Sequence, residues 1–245
     1  MFPQAAGITP GRFFVAAILV AARHPLASMP AIMKAAPILL ALFFSLPDSL
    51  PAQVKPATEA EKLNKLQGIA RWSKAQQAYD AGLLLFQQSK GKEAIAKFTE
   101  ALLLIDTFSE ARLARGRTHY EMRNFESALA DFTRVVAEKP EDANARYQRG
   151  RALWNLKKND EALKEFDTAI QKQPRTYAYH ESRAALLEST NRKEQALADH
   201  DMMVALEPLT PSNLERRGRL LRELGRNEEA DDDERRGGQL RDAGF

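Results

Sequence analysis

Small, aromatic and helix-breaking positions recur along this chain in a fixed frame. In the stretch 143–176 the frame is Gly150, Ala162, Phe166, Ala169 and Pro174. Thirty-four residues upstream it falls on Gly116, Ala128, Phe132 and Pro140, and one step further back on Gly82, Ala94, Phe98 and Ala101. Downstream it meets Ala184, Ala196 and Pro208, then Gly218 and Ala230. Five registers without an insertion predict five units: 75–108, 109–142, 143–176, 177–210 and 211–244. A period of this length belongs to stacked helical pairs. Each unit then holds a first helix, a polar turn and a second helix. The turns are expected at Lys90-Gly91-Lys92, Arg123-Asn124, Lys157-Lys158-Asn159-Asp160, Asn191-Arg192-Lys193 and Gly225-Arg226-Asn227.

The frame has a physical cause. Two antiparallel helices approach closely only where small residues meet, here Gly150 and Ala162. Phe166 lies one turn beyond Ala162 and fills the same seam. Pro174 has no N–H and ends the second helix. One such pair cannot bury its apolar face alone, so neighbours must stack.

The segments Ala94-x3-Phe98, Ala128-x3-Phe132 and Ala162-x3-Phe166, with Pro140 and Pro174 behind the last two, resemble the tetratricopeptide repeat family over roughly Ala75 to Gly244. The first half of the family pattern is altered: Arg112 and Arg146 stand in the Trp position, Arg115 and Arg149 in the Leu position. The resemblance implies an all-α fold, a right-handed α-solenoid of about five helix-turn-helix repeats behind a leading helix. The Asp231–Gly238 stretch is polar enough to serve as a solubilising end.

Upstream, Gln53–Thr58 reads as a linker and Thr58–Ser73 as that leading helix, with Leu63, Leu66, Ile69 and Trp72 at short helical steps and Thr58 and Glu61 as a capping box. It is expected to cover the first repeat. Residues 1–52 differ from the rest, with short apolar runs Phe13–Ala22 and Ala35–Leu46. Neither reaches the ~18–20 residues that span a bilayer. Met33-Lys34, the apolar core Ile38–Leu46 and Ser49-Leu50-Pro51-Ala52 have the parts of a secretory signal peptide cut after Ala52, with 1–32 as an upstream extension. This predicts a secreted or periplasmic protein, with an N-terminal membrane anchor or a cytoplasmic chain as the alternatives. No stable membrane span is expected in the mature chain.

Composition narrows the function. The chain has 245 residues, 44% hydrophobic and 28% charged, which suits a folded chain. It has no cysteine, which excludes disulfides, thiolate metal sites and thiol nucleophiles. The net charge of +3 invites a nucleic-acid reading, but without Arg12, Arg23, Lys34 and Asp48 upstream the body holds 33 bases against 32 acids. Such a balance makes no field for phosphates, and no nucleic-acid partner is expected.

Catalytic chemistry finds no constellation. His200 lies between Asp199 and Asp201, but neighbours on a helix point about 100° apart and share a metal poorly. No metal site, cofactor or enzymatic activity is expected. A different charge pattern is regular: the seventh residue of repeats 2–5 is Arg115, Arg149, Arg183 and Arg217, and the twenty-third is Asp131, Glu165, Asp199 and Asp233. In repeat 1 both are lost, as Ala81 and Lys97. This predicts an Arg–carboxylate pair inside each later repeat.

The resemblance further implies that ligands lie along the first helices. The residues placed there are Tyr79, Arg117, Tyr120, Asn144, Tyr147, Arg151, Trp154 and Arg219. Tyr, Trp and Arg combine large area with a polar handle, as binding hot spots do. Aromatics with Arg117 and Arg151 between them suit a peptide bearing acidic groups. Tyr79 and Leu83 occupy the positions where a chaperone-binding carboxylate clamp would carry Lys and Asn, so that subclass is not expected. The sequence reading is therefore a protein–protein interaction scaffold in the bacterial cell envelope. A peptide carrier or an accessory subunit of an envelope enzyme or secretion machine is the second reading. Self-association through the solenoid ends is left open.

Overall fold

A computed structural model describes residues 57–244. The upstream extension and the signal-peptide segment lie outside the described residues. Ten helices and no strands make up the described chain. They are α1 Glu59–Gln87, α2 Gly91–Leu104, α3 Ser109–Glu121, α4 Phe125–Glu138, α5 Ala143–Asn155, α6 Asn159–Lys172, α7 Tyr177–Ser189, α8 Lys193–Leu206, α9 Pro211–Glu223 and α10 Asn227–Asp242. The second helices α2, α4, α6, α8 and α10 begin at Gly91, Phe125, Asn159, Lys193 and Asn227, in steps of 34.

Each helix packs on its sequence neighbours, and α1 also touches α3, α3 touches α5, and α5 touches α7. First helices of successive repeats thus lie side by side and form one continuous face, the inner face of an α-solenoid.

The small–aromatic frame sets the helix crossings. Phe98, Phe132 and Phe166 are fully buried, as are Ala94, Ala128 and Ala162. A Cβ on Gly116 or Gly150 would come within 2.7 Å of Phe132 or Phe166, so only glycine admits the ring. In repeat 5, where Glu234 stands in the Phe position, a Cβ on Gly218 would meet nothing closer than 3.4 Å.

Turns inside the repeats share one device: Ser89, Arg123, Lys157, Asn191 and Gly225 have φ of 61, 61, 63, 58 and 78°. Four of these left-handed residues carry a side chain, against the usual preference for glycine there. Gly91, expected in the first turn, instead opens α2, and Ser89 takes the strained position.

The leading helix differs from its expectation. It is not a separate element: α1 runs unbroken from Glu59 into the first repeat, because no breaker separates Ser73 from Lys74. Nor does it cover that repeat, since Leu63, Leu66 and Ile69 remain 55, 63 and 56% exposed. Trp72, also exposed, has one ring contact, 5.0 Å from Phe108.

Candidate functional site

Two sets of polar contacts hold the inner face in shape. The first is an arginine ladder. Arg115 donates to both oxygens of Asp131 at 2.7 and 2.9 Å, Arg183 to both of Asp199 at 2.7 and 2.8 Å, and Arg217 to both of Asp233 at 2.7 Å. Arg149 reaches one oxygen of Glu165 at 2.5 Å. The intra-repeat pairs expected from the sequence are therefore present in all four repeats.

Three of these arginines also reach backward. Arg115, Arg183 and Arg217 donate a further hydrogen bond to Thr99, Asp167 and Asp201 on the second helix of the preceding repeat, at 3.1, 2.6 and 2.9 Å. Each guanidinium thus ties three helices. The hydrogen bonds to Asp199 and Asp233, reinforced by Asp167 and Asp201, push Arg183 and Arg217 above the ordinary arginine value against the opposing effect of burial. In repeat 3 the second acceptor is absent from the ladder, and Arg149 Nε and Glu165 Oε2 are buried without a hydrogen-bond partner, Arg146 lying 3.6 Å from Glu165 Oε2 as an ion pair.

The altered family positions have a role of their own. Arg112, Arg146 and His180 bond the backbone carbonyls of Asp106, Pro140 and Pro174, each six residues earlier. They hold the loop that ends the preceding second helix. His180 also contacts Asp199 Oδ1 at 2.7 Å.

The second set runs along the inner face between first helices. Asn155 donates to the Tyr120 hydroxyl at 2.8 Å, Tyr147 and Ser182 share a 3.0 Å bond, Tyr177 donates to Asn213 at 2.6 Å, and Arg216 pairs with Glu181 at 2.7 Å. These partners are 35 or 36 residues apart, one repeat plus one or two.

On this face the Arg151 guanidinium lies 4.4 Å from the centre of the Tyr120 ring and 5.8 Å from that of Tyr147. Aromatic faces on both sides fix a long side chain that would otherwise be mobile. Its one side-chain hydrogen bond goes to Gln148, at 3.3 Å. Arg117 and Arg219, at the equivalent place in repeats 2 and 5, are exposed. Among the described residues none of these three arginines pairs with a carboxylate, whereas every arginine of the ladder does.

The tetratricopeptide repeat family model matches residues 113–175 and 147–208. The stretch 113–208 is thus made of tetratricopeptide repeats. No curated protein matches its sequence. Among solved structures, MamA from Desulfovibrio magneticus RS-1 is similar with a TM-score of 0.63 at 15% identity, covering 70% of this chain and 97% of that one. YrrB is similar with a TM-score of 0.58 at 15% identity, covering 74% and 91%. TTC0263 from Thermus thermophilus is similar with a TM-score of 0.51 at 22% identity, covering 65% and 87%. At these identities the likeness shows the fold alone.

On this repeat scaffold the residues singled out for binding divide into two groups. Tyr79 is half-buried and packs its ring 5.9 and 5.1 Å from Phe98 and Phe108, and burial raises its hydroxyl above the usual tyrosine range. Tyr147 stacks 4.7 Å from Tyr179 and 5.9 Å from Phe166. These two rings belong largely to the core. Asn144 is half-buried and accepts from Gln148 at 3.5 Å. Arg117, Tyr120, Arg151, Trp154 and Arg219 present surface to the inner face.

Trp154 and Arg219 share a recess of 580 Å³ with Glu181, Glu188 and His200. His200 was not among the sequence-derived binding residues, although its place in the Phe slot of the frame was visible. His200, Asp199 and Asp201 point to separate partners: Glu188, Arg183 and Arg217. Among the described residues no group of three or more His, Cys, Asp or Glu is arranged to hold a metal ion. No described helix is long and apolar enough to cross a membrane.

Proposed function

We propose that the protein is a non-catalytic interaction scaffold that binds an acidic peptide or protein segment along its inner face. The observation that carries this is the row Arg117, Arg151 and Arg219. These are three guanidiniums at one repeat position on one face, without a carboxylate partner in a chain that pairs most of its arginines. Unpaired guanidiniums suit carboxylates, because each bond is charge-assisted, and at Arg151 the rings of Tyr120 and Tyr147 also fix the side chain. The similar YrrB is described as a tetratricopeptide repeat protein with an unusual peptide-binding site, which supports the same use of the fold here.

The setting we propose is the bacterial cell envelope, on the ground of the signal-like stretch Met33–Ala52. A peptide carrier, or an accessory subunit of an envelope enzyme or secretion machine, would use the same face.

The test is a crosslinking pull-down from the native host, comparing the full chain with the Arg117→Glu, Arg151→Glu, Arg219→Glu variant, its folding checked by circular dichroism. A partner recovered by the first and lost by the second is the expected result. Equal recovery would move the site off the inner face.

A further inference from the structure

Repeat 4 breaks the frame that seals its neighbours. In repeats 1–3 a glycine faces a fully buried phenylalanine: Gly82 with Phe98, Gly116 with Phe132, Gly150 with Phe166. In repeat 4 the same two places hold Ala184 and His200. The imidazole is smaller than a phenyl ring, and it is drawn toward Glu188, whose Oε1 lies 2.8 Å from Nε2. Its Nδ1 is buried without a partner. The volume that phenylalanine seals elsewhere contributes here to the 580 Å³ recess on the inner face.

The lining of this recess specifies its occupant. Buried Ala184, Met203 and Leu220 give it an apolar base, with Ala185 and the half-buried Trp154 beside them. Its three acids are each engaged within the chain: Glu181 by Arg216 at 2.7 Å, Glu188 by His200 at 2.8 Å, and Glu223 by Lys193 at 3.0 Å. Arg219 lines the same recess and pairs with none. A ligand therefore meets a mixed wall, polar over the larger part of its surface, with an apolar base and, in Arg219, a cation that has no carboxylate partner. The volume falls within the range of about 300–1,000 Å³ typical of ligand pockets.

We infer that this recess is the anchor subsite of the inner face, taking one large apolar side chain of an acidic peptide whose neighbouring carboxylate pairs with Arg219. This rests on the inner face being the partner groove. Anchor side chains seated in desolvated pockets dominate peptide affinity, with charges setting orientation around them.

The protein carries two tryptophans, so a Trp72→Phe background leaves Trp154 as the sole reporter at the recess. The probes are arrayed twelve-residue peptides with three Asp or Glu and either one Phe, Leu or Trp or only Ala between them, in all spacings. Selected Phe and Leu peptides are then titrated against the full chain by Trp154 emission and by anisotropy of a labelled peptide. Anchor-bearing peptides are expected to bind at least tenfold tighter than their Ala counterparts and to shift the Trp154 emission. Ala185→Phe, which fills the recess, should erase both the advantage and the shift. Arg219→Glu, at an exposed position that does not threaten folding, should weaken the peptides whose carboxylate adjoins the anchor. Acidic peptides that bind regardless of the anchor and are lost on Arg117→Glu, Arg151→Glu would overturn the anchor subsite and leave the groove standing. Failure of every acidic peptide to bind would overturn both.

Discussion

The Arg183 guanidinium grips both carboxylate oxygens of Asp199, at 2.7 and 2.8 Å, and reaches with its third nitrogen to Asp167 on the repeat before. Asp199 is almost fully buried, its side chain 1% exposed. Removing the arginine leaves that carboxylate facing only His180. Breaking one side of a buried pair costs about 3–5 kcal/mol, more than the intact pair contributes. Arg183→Met should therefore lower the urea midpoint strongly. Arg149→Met should cost less, since Arg149 reaches one oxygen of Glu165 and leaves its own Nε unpaired. Equal losses for the two variants would mean that the three-helix bridge adds nothing.

Glycine at the crossings gives a paired prediction. Gly150→Ala drives a Cβ to 2.7 Å from Phe166 and should cost about 1–3 kcal/mol, as overpacking does. Gly218→Ala meets nothing nearer than 3.4 Å and should instead gain part of the roughly 1 kcal/mol of helix propensity that separates alanine from glycine. Thermal melts of both variants check the sign. The truncation Phe166→Ala, which empties the same seam, should cost about 3–5 kcal/mol.

Left-handed turns offer stabilisation. Lys157 has φ of 63°, a conformation that costs a side-chain-bearing residue about 1–2 kcal/mol and glycine little. Lys157→Gly should raise the melting temperature, with Gly225→Ala in the equivalent turn of repeat 5 lowering it.

Acid sensitivity has a named source. Burial holds the His119 imidazole below its ordinary value, with Asp131 opposing and Arg115 adding to the shift. The folded chain then binds a proton less readily than the unfolded chain. Stability is complete above the ordinary histidine value and falls as the pH drops below it, toward the depressed folded value. Comparing melts at pH 7.5 and 5.5, the wild type should lose more than His119→Gln does. Identical losses would remove His119 as a source.

Much of this was legible because the chain repeats itself. A single Arg and Asp sixteen residues apart say nothing, but four such pairs, with both members lost together at Ala81 and Lys97, disclose a contact. The Gly–Phe crossing was readable for the same reason. The backward reach to Thr99, Asp167 and Asp201 was not, because repeat 3 breaks that pattern and the acceptors differ in type. Nor did residue type tell Tyr147, folded against Phe166 and Tyr179, from Tyr120, which supports Arg151: both are tyrosines on first helices, and only the packing separates them. The leading helix was misread because the apolar row Leu63, Leu66, Ile69 and Trp72 shows helix without showing what covers it.

The most direct test of the inner face as the partner site is position-specific photo-crosslinking in the native host. A benzophenone side chain is placed at Glu121 or Asn155, on first helices, and at Thr133 or Lys164, on second helices. The same partner adduct from both inner positions, and none from the outer ones, is the predicted result. Adducts from Thr133 or Lys164 with none from the inner positions would contradict the account and assign binding to the opposite face.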